Sequence, residues 1–152
     1  MKLVTTIQLK PTGAQGEMLL ATLERCNEAC NWMSERAFES QTTRKFALQK
    51  IVYYDARRRF EIASNMTLAC LSKVSDAYKT GREGVRTFRR HAAQPFDPHL
   101  FRFVAGDAVS IRLLAGREKI PFVCCERQRK LLAFRKGEVD LILAKGKWYL
   151  AC

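Results

Sequence analysis

The spacing of apolar residues changes along this chain, and that change constrains the fold more than any other feature. Residues 3–9 alternate apolar with polar or small side chains, which is typical of a short strand. Residues 13–81 repeat apolar side chains every three or four positions, which indicates helices, and short alternating runs return after residue 82. Because a strand needs partners for its backbone groups, we predict that the first strand pairs with the later ones. The helices then form an insertion between the first and second strands.

The first helix is predicted over residues 14–39. Pro11 ends the preceding strand because proline lacks a backbone donor. Thr12 is followed three residues later by Gln15, which is the spacing of a capping box. One apolar face then continues through Leu19, Leu23, Cys26, Cys30, Met33 and Ala37.

Two further helices are predicted, with short connections that favour antiparallel packing into a small bundle. The second covers residues 43–60, with Thr43 as its N-cap. The third begins at Ser64, also read as an N-cap, and ends at Gly81. The apolar positions of the second helix are predicted to be Phe46, Leu48, Ile51 and Val52.

After the helices, the sequence predicts a small closed β-barrel. Even spacing of short strands and glycine turns favours closure, because closure removes exposed sheet edges. The domain boundaries follow as 1–12 for the first barrel strand, 13–81 for the helices and 82–152 for the remaining barrel. The later strands are predicted at residues 100–104, 108–114, 120–125, 131–134, 139–144 and 148–152.

The charge of the chain indicates a polyanionic partner. Its 152 residues contain 27 Lys and Arg against 15 Asp and Glu, a net charge of +12. Nucleic acid is favoured over a membrane surface, since no strongly basic amphipathic helix with a bulky apolar face is evident. No apolar run approaches the roughly 18 residues of a membrane span. We therefore expect no membrane association and a cytoplasmic location.

Residues that carry chemistry are scattered in this sequence. None of the six cysteines forms a CxxC pair, so we expect reduced thiols and no zinc site. Glu138 and Asp140 share a strand face, which more often means a solvated pair than a metal site. His91 and His99 lack a nucleophile at motif spacing. We expect no catalytic residue, no metal and no cofactor in this chain.

Several short segments occur in an order that is similar to one known family. They are Ile7-Gln8-Leu9-Lys10-Pro11-Thr12 with Gln15, Cys30-Asn31-Trp32, Tyr53-Tyr54-Asp55 with Arg57, Asp76-Ala77-Tyr78-Lys79, Pro95-Phe96-Asp97, Gly116-Arg117 with Ile120-Pro121-Phe122, and Gly146-Lys147-Trp148-Tyr149-Leu150. Together they resemble the N-terminal region of the transposon-associated TnpB (OrfB) RNA-guided nucleases and the related compact type V CRISPR effectors.

The resemblance implies an α+β fold: a small oligonucleotide-binding-like β-barrel, the wedge domain, with a three-helix recognition bundle inserted after its first strand. In that family the region holds the scaffold of a guide RNA and contacts target DNA, so both are expected partners. The resemblance also implies a prokaryotic cytoplasm and association with the nucleoid. Phosphate contacts are expected from basic residues, chosen by charge and position. They are Lys10, Arg57, Lys79, Arg82, Arg89, Arg90, Arg117 and Lys119.

The resemblance also implies what this stretch lacks. The family's RuvC-like nuclease uses acidic residues and Mg²⁺, and its first aspartate normally follows the segment that matches residues 146–150. We therefore expect a non-catalytic portion: a truncated member, an excised domain, or one half of a split nuclease completed by a separate RuvC-containing chain. Mg²⁺ is expected only for the absent nuclease domain. A guide-independent regulator, an enzyme completed by a partner, and a homodimer remain alternatives.

Aromatic and clustered basic residues leave further alternatives open. Arg82, Arg86, Arg89 and Arg90 are spaced so that they can follow a phosphate backbone. Trp32 and Phe88 either stack on bases or pack into the protein, and packing is favoured for both. Trp148 and Tyr149 should occupy opposite strand faces, with one in the core and the other available for stacking.

Overall fold

A computed structural model describes residues 4–81 and 83–152. Within these residues, four helices and seven strands occur, and the three longest helices lie between the first and second strands. The strands are β1 (Thr6–Leu9), β2 (Gln94–Phe96), β3 (Phe101–Val104), β4 (Ala108–Leu113), β5 (Gly116–Val123), β6 (Val139–Ala144) and β7 (Lys147–Ala151). The helices are α1 (Gly13–Ser40), α2 (Lys45–Phe60), α3 (Ser64–Tyr78) and α4 (Glu126–Leu132).

The strands form one antiparallel sheet that curves into a nearly closed barrel, in the order β2-β6-β7-β1-β5-β4-β3. The first strand lies at the centre of this sheet. Ile7 is opposite Leu150 of β7, and Leu9 is opposite Phe122 of β5. The prediction that the opening strand pairs with the later ones is therefore confirmed.

The core is shared between the helices and the inner face of the sheet. Leu19, Leu23 and Met33 of α1 are fully buried, as are Ile111 and Leu113 of β4, and all belong to one apolar cluster. The predicted apolar face of α1 is therefore confirmed. No helix among the described residues combines the length and apolar character that a membrane crossing requires.

The start of α1 is built as predicted and is also attached to the sheet. The backbone N–H of Gln15 donates to the Thr12 hydroxyl, and the Gln15 side chain accepts from the Thr12 N–H, both at 3.1 Å. The Gln15 amide also donates to the backbone carbonyl of Lys119 on β5, at 3.0 Å. The capping box thus fixes the N-terminus of α1 against β5.

Two of the predicted N-caps are wrong. The N-cap of α2 is Arg44 rather than Thr43, and it makes no side-chain capping bond. The N-cap of α3 is Ala63, and Ser64 is already the first helical residue. Helix starts predicted from a single hydroxyl are commonly displaced by a residue or two, because fixed helix–helix packing outweighs one hydrogen bond.

Two apolar positions predicted for α2 are also wrong. Phe46 and Ile51 are 76% and 45% exposed, whereas Leu48 and Val52 are buried as predicted. The helix packs against α1 and α3 through a narrow stripe that ends at Ala56. Its solvent side therefore carries large apolar side chains.

The strand predicted over residues 131–134 is wrong, because α4 ends at Leu132 and residues 133 and 134 form a turn. Cys125 is the N-cap of α4, and Gln128 completes a capping box by accepting from the Cys125 N–H at 2.9 Å. The Gln128 amide also donates to the Thr6 carbonyl of β1, at 2.7 Å. The short strand β2 was missed; it pairs with β6 with Pro95 opposite Asp140.

Asparagine side chains of α1 hold the irregular segment that precedes β2. The buried Asn27 amide donates to the carbonyls of Arg90 and Ala92, at 3.1 and 2.9 Å. One turn later, Asn31 accepts from the N–H of Phe88 at 2.7 Å and donates to its carbonyl at 3.1 Å. These bonds replace the strand partner that the segment lacks.

The segment before β2 is also held nearer the C-terminal end of α1. The Ser34 hydroxyl donates to the Arg86 carbonyl, and the Tyr78 hydroxyl accepts from the Arg86 N–H at 3.2 Å. Lys73 of α3 donates to the side-chain oxygen of Asn27 at 2.7 Å, which fixes the orientation of that side-chain amide. We call Asn27, Asn31 and Ser34 the α1 clamp.

The cysteines differ sharply in exposure. Cys26, Cys30 and Cys70 are fully buried, and all six thiols are unpaired. Burial raises the pKa of the Cys30 thiol well above its ordinary value, and burial raises the pKa of Cys152 to about 11. Cys125 is exposed at the start of α4. Cys124 and Cys125, predicted as strand neighbours, lie after the end of β5.

Alkylation of the native protein should therefore be selective. We expect iodoacetamide at pH 8 to modify Cys125 first, and Cys152 much more slowly, because about one in a thousand Cys152 thiols is ionised at that pH. Peptide mass mapping over time measures the order, and protein unfolded in urea, where every thiol reacts, is the control. Modification of Cys26 or Cys30 as fast as Cys125 in the folded protein would contradict the burial described above.

Candidate nucleic-acid interface

Basic side chains gather on the outer face of strands β3, β4 and β5. The register places Arg102, Ser110 and Lys119 side by side across the three strands. Arg112 and Arg117 form the next cross-strand pair. Residues directly opposite each other in an antiparallel pair share a face, and the alternate residues of β4 point into the core. The outward side of this part of the barrel is therefore strongly basic.

Lys10 extends this surface across β1. Its backbone N–H donates to the Pro121 carbonyl at 2.7 Å, so the chain continues alongside β5 beyond the end of β1. Ile7 and Leu9 are buried while Lys10 is exposed, which places Lys10 on the outer side. We call Lys10, Arg102, Arg112, Arg117 and Lys119 the basic face.

The side chain of Arg117 is oriented by its neighbours. One terminal nitrogen donates to the backbone carbonyl and the hydroxyl of Ser110, at 3.2 and 3.1 Å. The other donates to the carbonyl of His99 at 2.8 Å. The guanidinium therefore lies across β4 instead of extending freely, which reduces the entropy lost when it binds an anion.

In the part of the chain that the structure describes, the cations of the basic face have no acidic partners. Within residues 4–81 and 83–152, none of the five forms a salt bridge, whereas basic residues elsewhere do, including Arg36, Arg58 and Lys130. The N-terminus of α1 is held against β5 beside Lys119 and adds the positive end of a helix dipole. A polyanion is the ligand that would neutralise this charge.

A hollow joins the basic face to helix α2. It lies between β4 and the C-terminal end of α2, and Arg112 is the strand residue in its wall. Arg57 donates to the carbonyl of Ile62 at 3.4 Å, and its guanidinium lies 5.7 Å from the centre of the Tyr53 ring. Glu61 also lines the hollow and offsets part of its charge. Arg57 is therefore near the basic face, at its helical margin.

Three of the other predicted phosphate contacts, Lys79, Arg89 and Arg90, do not join this surface. Lys79 forms a salt bridge with Asp76 at 2.8 Å, and Arg90 forms one with Glu24. Arg89 is exposed on the segment held by the α1 clamp. Arg82 lies outside the described residues. The structure thus brings together Lys10, Arg117 and Lys119, with Arg57 nearby.

Arg86, Arg89 and Arg90, which were predicted to follow a phosphate backbone, differ in their contacts. The Arg86 guanidinium turns inward and donates to the Gly81 carbonyl at 3.0 Å. Phe88 packs against the core, with the Lys73 ammonium 5.0 Å from its ring centre. The predicted packing of Phe88 is therefore confirmed.

The tryptophans both contribute to packing. Trp148 is 7% exposed and belongs to the core, while Tyr149 on the opposite strand face is half-buried. The predicted opposition of these two residues is confirmed. Trp32 packs edge-on against Phe60 at 6.0 Å between ring centres, and the guanidinium groups of Arg36 and Arg59 lie within 6 Å of its ring.

Carboxylates and histidines form no metal-binding cluster in the described part of the chain. No group of three His, Cys, Asp or Glu side chains there is arranged to hold an ion. Glu138 and Asp140 line a hollow beside Val4 and Cys152, together with two basic residues, Arg135 and Lys136. His99 lies 3.5 Å from Asp97, and His91 lies 3.8 Å from Glu24.

Sequence reasoning missed Arg102 and Arg112. Both occupy the polar positions of alternating strands, Phe101-Arg102-Phe103 and Ile111-Arg112-Leu113, and this alternation was the available signal. It identifies residues that point outward, but their neighbours depend on strand order and register.

No known protein family matches this chain, and no curated protein is significantly similar to it.

Proposed function

We propose that this chain binds structured RNA through the basic face. The observation that carries the proposal is the set of five exposed cations, four on adjoining strands and Lys10 directly after β1, without acidic partners among the described residues. Lysine and arginine that contact phosphates release condensed counterions, which supplies affinity without reading sequence. A curved basic sheet suits the phosphates and 2′-hydroxyls of a folded RNA, whose shape is what such proteins recognise.

The more specific proposal is that the RNA is the scaffold of a guide and that the chain is the wedge-plus-recognition portion of a TnpB-like protein. The order of the short segments supports it, as does the position of the three helices between β1 and β2 of a barrel-like sheet. Target DNA would then be selected mainly by pairing with the guide. A separate RuvC-containing chain would supply any cleavage.

Sequencing of the RNA that copurifies with the protein tests this proposal. We expect one discrete structured RNA with a variable 3′ segment, because a guide has a constant scaffold and a changing spacer. A control purification of the Arg112→Gln, Arg117→Gln, Lys119→Gln variant should recover far less of it. Random RNA fragments in both preparations would contradict the guide, and absence of RNA together with failure to bind folded RNA would contradict RNA binding itself.

A further inference from the structure

Helix α2 presents four exposed side chains at four-residue spacing: Phe46, Lys50, Tyr54 and Arg58. Residues four apart are neighbours on a helix surface, so the four form one ridge. Aromatic and basic residues alternate along it. We call these four residues the α2 ridge.

The two aromatic side chains of the ridge do not contribute to the core. Phe46 is 76% exposed and Tyr54 is 80% exposed, while Leu48, Val52 and Ala56 provide the buried side of the helix. The Tyr54 ring contacts the neighbouring Tyr53 ring edge-on, at 5.1 Å between centres. Tyr54 therefore contacts Tyr53 on one side, and the rest of its ring is exposed to solvent.

The composition of the ridge indicates the kind of ligand it fits. Single-stranded nucleic acid is bound by aromatic rings that stack on bases, together with cations that contact the phosphates between them. An apolar protein partner would favour a continuous apolar stripe, whereas Lys50 and Arg58 interrupt this one with charge. Charge complementarity therefore favours nucleic acid.

The ridge is also continuous with the basic face. Tyr54 and Arg58 line the same hollow as Arg112. We propose that the α2 ridge binds unpaired nucleotides of the RNA whose folded part lies on the basic face, with bases stacked on Tyr54 and Phe46 and phosphate at Lys50. Arg58 is held by Asp55 in a salt bridge at 2.8 Å and adds only its position at the margin of the hollow. This inference rests on the proposed RNA-binding function and adds the class of RNA element that the helix takes.

The test compares two labelled RNAs that share one hairpin, one blunt and one with a single-stranded tail at its 3′ end. Fluorescence anisotropy should show that the tail strengthens binding to the wild-type protein. Tyr54→Ala should weaken binding of the tailed RNA by roughly 5- to 150-fold, which corresponds to the loss of one stacked base. Tyr54→Phe keeps the ring and should retain the affinity, and neither variant should change binding of the blunt hairpin.

Phe134→Ala is the matched control, because Phe134 is 83% exposed in the turn after α4. It should bind both RNAs as the wild type does. The inference is overturned if Tyr54→Ala retains the gain from the tail, or if Phe134→Ala loses that gain equally. The proposed function still stands in these cases provided that the blunt hairpin binds. If neither RNA binds the wild-type protein, the proposed function and the inference both fail.

Discussion

Replacing Arg112, Arg117 and Lys119 together by glutamine should weaken binding of a hairpin RNA by a few hundred-fold at about 0.1 M salt. Each phosphate contact contributes about −0.7 to −0.9 to the slope of log affinity against log salt concentration. Loss of three contacts should therefore flatten the slope by roughly 2.5 units. The two lines should converge near 1 M salt, where counterion release no longer contributes. Anisotropy titrations over a range of NaCl concentrations measure both quantities.

A second triple variant separates position from net charge. Arg127, Lys130 and Lys136 are exposed basic residues on α4 or shortly after it, and their replacement by glutamine removes the same charge. We expect this variant to keep the wild-type slope. Equal flattening by both variants would mean that only total charge matters and would contradict a localised interface. Circular dichroism spectra of all three proteins verify that the variants remain folded.

Arg89 and Arg90, which precede β2, are an alternative site for contact with RNA phosphates. From the sequence, removal of both Arg89 and Arg90 is predicted to flatten the salt slope by roughly 2 units. Because Arg90 pairs with Glu24, we now expect only the Arg89 contribution, about 1 unit. A larger change from this double variant than from the basic-face triple variant would place the interface on the clamped segment.

The order of elements could be predicted because periodicity is a local property. The capping box of Thr12 and Gln15 lies within four residues and is formed as predicted. The stretch 131–134 was misassigned because a run of four apolar residues suits a strand and a helix equally. In the structure α4 covers the first two of these residues, and its start is capped by Cys125 and Gln128; this start could not be recognised, because cysteine is not among the usual N-cap residues.

The candidate site could be predicted only as a set of residue types. Lys10, Arg117 and Lys119 were selected from charge, but their proximity to Arg102 and Arg112 depends on the strand register. A slip of one residue would turn every side chain of a strand to the opposite face. Salt bridges depend on tertiary contacts too, so the engagement of Arg90 by Glu24 could not be foreseen.

Replacing Asn27 by alanine should lower the free energy of unfolding by about 3 kcal/mol. The buried Asn27 amide holds the carbonyls of Arg90 and Ala92, and its oxygen accepts from Lys73. Alanine leaves these groups without their partner, and buried unsatisfied groups cost more than the bond itself contributes. Urea unfolding followed by circular dichroism measures the loss. A loss of this size is a large share of the free energy of unfolding of a typical domain, which is roughly 5–15 kcal/mol.

Asn65→Ala is the control, since Asn65 is a half-buried asparagine of α3 with no side-chain hydrogen bond among the described residues. It should cost less than about 1 kcal/mol. Asn31→Ala should destabilise less than Asn27→Ala. It should also accelerate hydrogen exchange at the Phe88 amide, because the Phe88 N–H donates to the Asn31 side-chain oxygen at 2.7 Å. If Asn27→Ala costs no more than Asn65→Ala and Phe88 exchange is unchanged in Asn31→Ala, the α1 clamp does not fix the segment. The basic face would then be unaffected, because its strands are held by their own ladder and not by the clamp.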